Sequence, residues 1–190
     1  MCHSAPVRDV LLDSPVVASV KDEAGARSVI DSEPGVVFLL CGSILTLPDL
    51  VDRLRAAGKV VLVNVDMVEG LESRDVAVEF VGERTRADGV LSSKASIVKA
   101  ARKRGLLAVH RFFLVDSFSY HNLGKQLAIS RPDYIEILPG CVPRVIEWLR
   151  NDTDVPIIAG GLVCDKNDVL AALSAGATAI ASSNVDVWSM

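Results

Sequence analysis

The sequence predicts a single α/β domain folded as a (β/α)8 barrel, and three observations carry that expectation. Eight short apolar runs recur along the 190 residues, and segments of helical period lie between them. Half the residues are hydrophobic while only 5% are aromatic, a Val-, Leu-, Ile- and Ala-rich composition that suits parallel strands buried on both faces. The length supports one sizeable core and is short for two. Typical barrels of this class run to about 250 residues, so this one must be a compact TIM-type barrel with short loops. An open doubly wound sheet would announce itself with a glycine-rich first turn. The first run leads instead into KDEAGA, and neither G-x-G-x-x-G nor G-x-x-x-x-G-K-[ST] occurs.

Strands are expected at 16–20, 36–41, 60–65, 88–93, 106–115, 134–138, 156–160 and 178–182, each an apolar run bounded by turn residues. In LPDLVDRLRAAGK, Leu47, Leu50, Val51 and Leu54 form one stripe, Pro48 sits in the first turn and Gly58 is the stop. In SKASIVKAARKRG, Ile97, Val98 and Ala101 share an arc while Lys99, Arg102 and Lys103 point the other way. In CDKNDVLAALSAGA, Asp165 is placed to cap a helix carrying Val169, Leu170 and Leu173, with Gly176 ending it. Residues 1–14 read as an N-terminal arm or short lid, and 15–190 as the barrel. Six residues follow Asn184, so the last helix is expected to be truncated. Trp188 on that stub should pack back on the barrel or against a second copy, which makes a homodimer one expected assembly.

Composition excludes several functions. No apolar run reaches the roughly 18 residues of a membrane span, and the N-terminus lacks the charged-then-apolar order of a secretion signal, so a cytoplasmic protein is expected. Cys2, Cys41, Cys141 and Cys164 are widely spaced with no C-x-x-C pair, which points to neither a disulfide framework nor a metal site. The net charge is −4, with a pI near 5.4. Yet residues 83–104 carry a local balance of +5, which leaves −9 for the rest.

In such barrels the functional face is built by the carboxyl ends of the strands, and phosphate commonly binds at the loops after strands seven and eight. Those loops are AGGLV and ASSNV. Gly160 and Gly161 offer backbone without a side chain in the way, and Gly140 lies at the neighbouring rim. Ser182, Ser183 and Asn184 add hydroxyl and amide donors where a short helix opens. Lys21 follows the first strand and can neutralise an anion. Asn64 and Asp66 share parity on strand three, and Glu136 interrupts strand six. Polar groups inside apolar runs are costly unless paired, so a ligand or an internal ion pair must satisfy them. His110 and Arg111 have opposite parity, so one of them points inward. No serine–histidine–acid arrangement, metal-ligand spacing or nucleophile motif presents itself, and no catalytic residue is assigned. A phosphosugar isomerase or aldolase-like enzyme using Lys21, Asp66, His110 or Glu136 stays open as an alternative.

Taken together, VVFLLCGSILTLPDLVDRLRAAGK, VNVDMVEGL, ADGVLSSKASIVKAARKRGLLAVHRFFLVDS, PDYIEILPG, VPIIAGGL and AIASSNVDVW closely resemble the glycerol-3-phosphate-responsive antiterminators, bacterial regulators of glycerol uptake operons. The likeness runs in order from about Val16 to Trp188. It implies a barrel without catalytic activity or cofactor. Glycerol 3-phosphate is its effector and the leader mRNA of a glycerol operon its partner, bound so that a terminator hairpin cannot form. A phosphate monoester fits AGGL and ASSN, while Asp66 or Glu136 can take the glycerol hydroxyls. The family pattern has glutamine where this chain has His110, a departure expected to alter ligand hydrogen bonding or make it pH-sensitive. For RNA, the candidates are Arg84, Arg86, Lys94, Lys99, Arg102, Lys103 and Arg104. A metabolite sensor that acts through protein partners is a third reading.

Overall fold

The computed structural model describes residues 9–11, 13–72 and 74–190. The first eight residues of the expected arm, with Cys2 and His3, lie outside them. The rest is a closed barrel of eight parallel strands in sequential order. The units are β1 (Val16–Val20) with α1 (Glu23–Ile30), β2 (Val36–Leu39) with α2 (Leu47–Ala56), β3 (Val60–Asn64) with α3 (Asp75–Arg84), and β4 (Gly89–Ser92) with α4 (Ala95–Lys103). They continue as β5 (Leu107–Phe113) with α5 (Ser117–Ser130), β6 (Tyr134–Leu138) with α6 (Pro143–Asp152), β7 (Ile157–Gly160) with α7 (Lys166–Ser174), and β8 (Ala179–Ser182) with α8 (Val185–Trp188). The ring closes where Val16, Val17 and Ala18 pair with Ile180, Ala181 and Ser182.

Strand ends are trimmed relative to expectation for a pairing reason. The fifth run stops at Phe113, not Val115, because its last partner on β6 is Leu138. Two cores follow from strand alternation. Inside the barrel, Val17, Phe38, Leu62, Leu91, Val109, Tyr134 and Ile158 pack together. Between strands and helices lie Val37, Leu54, Ile97, Ile135 and Leu149. Leu11 is buried in the inner cluster, so the described end of the arm plugs the amino-terminal mouth of the barrel, opposite the face where a lid would act.

Asp165 caps α7 as expected, accepting from the amides of Asn167 (2.8 Å) and Asp168 (3.0 Å). The last helix has four residues. Trp188 packs back on the barrel: it is 3% exposed, and its indole N–H donates to the Ser182 carbonyl at 2.8 Å. No helix among the described residues is long and apolar enough to cross a membrane.

Candidate ligand cleft at the carboxyl ends of the strands

A cleft of about 420 Å³ opens at the carboxyl ends of the strands. Its polar lining comes from Ser19 and Lys21 on β1 and its loop, Arg111 on β5, Glu136 on β6, and Ser182, Ser183 and Asn184 at the end of β8. Leu40, Met67, Leu138, Leu162, Val163 and Cys164 supply apolar and thiol surface.

The loops after β7 and β8 are tied into one wall. The Ser182 hydroxyl donates to the Val163 carbonyl (2.8 Å) and accepts the Asn184 amide (3.1 Å). The Asn184 side-chain amide donates to the Cys164 carbonyl (2.9 Å), while its oxygen accepts the Asp186 amide (3.1 Å) and so caps α8. Both side chains are therefore engaged in holding the wall together, whereas Ser183 is exposed and lines the cleft. Gly161 (φ 71°) and Leu162 (φ 57°) are both left-handed, so the chain leaves β7 through two successive turned peptides. Leucine adopts that conformation at a cost of roughly 1–2 kcal/mol.

Arg111 and Glu136 form the centre of the floor. They are register partners on β5 and β6, both face the interior, and Arg111 Nε donates to Glu136 Oε2 at 2.6 Å. Glu136 is 2% exposed. Its burial pushes the carboxyl above the ordinary range, against the opposing pull of the Arg111 guanidinium. Gly160 makes room for this carboxylate: a Cβ there would lie 2.5 Å from Glu136 Oε1.

Several expected ligand residues sit elsewhere or are already engaged. His110 does not face the cleft. Strand alternation turns it toward α5, where Nδ1 meets the Ser130 hydroxyl (3.0 Å) and Nε2 meets the Ser93 carbonyl (3.3 Å). Burial lowers its pKa to about 4, so it is neutral near pH 7, and the expected pH-sensitive ligand contact is replaced by a fixed core contact. Asp66 accepts from Ser92 Oγ (2.8 Å), Ser93 N–H (2.7 Å) and Ser93 Oγ (2.9 Å). Asn64 accepts the Asp66 amide (3.1 Å). Asp66 thus ties the end of β3 to the end of β4, Asn64 braces the Asp66 turn, and neither is part of the cleft lining. Gly140 donates its amide to the Gly160 carbonyl at 2.6 Å, so that N–H belongs to the rim scaffold and not to a ligand cradle.

Sequence reading missed Ser19, Leu162 and Cys164 as lining residues. Ser19 was within reach, because it shares parity with Val17 and Lys21. Leu162 was not, because its outward turn follows from the loop conformation. Among the described residues, no group of three or more His, Cys, Asp or Glu is placed to hold a metal ion.

Fold and cleft define the chain as a single (β/α)8 barrel with a ligand-sized, partly cationic opening at the carboxyl face. The particular lineage is equally plain: residues 16–188 match the glycerol-3-phosphate responsive antiterminator family, and the chain belongs to it. It is 44% identical over 185 residues to the uncharacterized protein YgcP of Escherichia coli strain K12, with 97% of each chain covered. The crystal structure of the glycerol uptake operon antiterminator regulatory protein from Listeria monocytogenes str. 4b F2365 superposes with a TM-score of 0.89 at 27% identity, over 93% of this chain and 95% of that one. A glycerol uptake operon antiterminator-related protein from Thermotoga maritima MSB8 gives 0.82 at 33% identity, over 92% and 98%.

Proposed function

We propose that this protein is a transcription antitermination regulator of glycerol operons that binds glycerol 3-phosphate in the cleft and, in that state, the leader mRNA, keeping a terminator hairpin from forming. Family membership supports the regulator role. The observation that carries the ligand reading is the pairing, in one cleft, of the β7–β8 wall with Lys21 and the Arg111–Glu136 pair. A phosphate dianion calls for backbone N–H groups and a cation. In this reading the amides of Gly161, Leu162 and Ser183, the Ser183 hydroxyl and Lys21 receive it. The Glu136 carboxylate, held by Arg111, accepts a glycerol hydroxyl. Gly160, Gly140, Ser182 and Asn184 shape the wall.

Thermal unfolding tests the ligand. At a hundredfold excess over its dissociation constant, glycerol 3-phosphate should stabilise the fold by about 2.7 kcal/mol. For a domain of this size that raises Tm by roughly 5–11 °C, and glycerol alone should do much less. No shift at millimolar glycerol 3-phosphate overturns the ligand. Absence of leader-RNA binding at low salt, with and without the ligand, overturns the RNA role.

A further inference from the structure

We propose that the groove between α4 and α5 takes the phosphate backbone of single-stranded RNA, an inference that rests on the antitermination reading above. The groove holds about 450 Å³. Four of its seven lining residues are cationic, Lys99, Arg102 and Lys103 from α4 and Arg131 just past α5, and none is acidic. On a chain of net charge −4, such a concentration is a local footprint for a polyanion. Lys99 and Lys103 stand one helical turn apart and so share a face.

The structure re-sorts the basic cluster of the sequence. Arg104 turns away to α3, where it meets Glu79 (3.2 Å) and Glu83 (3.9 Å). Lys94 precedes α4 at the opposite, carboxyl-face end. Arg84 and Arg86 lie at and after the end of α3 and do not line the groove. Arg102 pairs with Asp133, but the other oxygen of that carboxylate is engaged by the Ala108 amide at 2.9 Å. The Arg102 side chain stays 44% exposed, which leaves guanidinium donors for a ligand.

Arg131 is the new member. It occupies the left-handed region (φ 46°) at the end of α5, where glycine or asparagine is the usual choice. An arginine there places a guanidinium on the groove wall opposite α4. A terminator hairpin that is kept from forming leaves its strands unpaired, so under the antitermination reading the groove meets single-stranded RNA. No aromatic side chain lines the groove, so it offers phosphate contacts that position RNA without reading bases.

The test uses the full chain with saturating glycerol 3-phosphate and a fluorescein-labelled transcript of the host glycerol-operon leader, read by anisotropy from 50 to 200 mM salt. Lys99→Glu/Arg131→Glu should bind at least tenfold more weakly at 50 mM. Losing two phosphate contacts should also flatten the log–log salt slope by about 1.4. Lys99→Gln/Lys103→Gln, which perturbs the fold less, should flatten it similarly. Arg74→Glu/Lys166→Glu, an equal charge change at exposed sites outside the groove, should bind as the wild type does. All variants should keep the wild-type melting shift with glycerol 3-phosphate. Wild-type RNA binding by both groove variants overturns the groove and leaves the regulator reading standing. Failure of the wild-type protein to bind the leader overturns both. Labelled poly-glutamate bound more tightly than the leader would make the groove a protein dock and overturn the RNA assignment.

Discussion

Replacing Gly160 with alanine probes the floor of the cleft directly. The added Cβ would sit 2.5 Å from Glu136 Oε1 and 3.2 Å from both its Cδ and Cγ. An exposed carboxylate would swing aside at little cost, but Glu136 is 2% exposed and is held by Arg111 at 2.6 Å. Moving it means loosening that ion pair or shifting β7 against β6. Overpacking of this kind costs about 1–3 kcal/mol, which lowers Tm by roughly 2–12 °C for a chain of this length. Calorimetry measures that loss, and titration with glycerol 3-phosphate reads the displaced carboxylate as weaker binding. The decisive arm is the Glu136→Ala background, where the clash is absent. There Gly160→Ala should cost less than in the wild type by an amount within the 0.5–3 kcal/mol coupling of touching residues. Equal cost in both backgrounds, or none in either, refutes the idea that Gly160 exists to seat Glu136.

Three further outcomes follow from other parts of the structure. The folded-state pKa of His110, about 4, lies below its ordinary 6.5, so the unfolded chain binds its proton more readily. Its contribution to stability is complete above about pH 6.5 and is lost as pH falls toward 4, with a slope of at most about 1.4 kcal/mol per pH unit. His110→Gln should remove that slope in urea titrations at pH 5 and 7, and an unchanged slope overturns the assignment. Trp188→Ala should cost about 3–5 kcal/mol and loosen the Ser182 loop; a melting point unchanged from wild type contradicts the packing of α8. Gly161→Ala should cost about 1–2 kcal/mol through its left-handed backbone, and a stabilised variant contradicts that conformation.

The residues show which features are written locally. Valine-rich runs, Asp165 as a cap and the alternation that separates Val17 from Ala18 depend on neighbours within a few positions, and they appear in the structure nearly where the sequence places them. The cleft was legible as a location, because strand ends and their loops are sequence features. Its chemistry was legible only in part. Parity alone allows either His110 or Arg111 to face inward, and the barrel selects Arg111 because Val109 shares the interior with Tyr134 and Leu107.

Asp66 looked like a hydroxyl acceptor until β4 placed Ser92 and Ser93 against it. The amino-acid order by itself therefore determined the eight strand–helix units, the family, and the rim where a ligand can sit. Only the tertiary structure decided that Arg111 faces Glu136 across neighbouring strands, that Gly160 is small to admit that carboxylate, and that Arg131 completes a basic groove with α4. Those decisions depend on register and on contacts between residues distant in the chain, and no local periodicity encodes them.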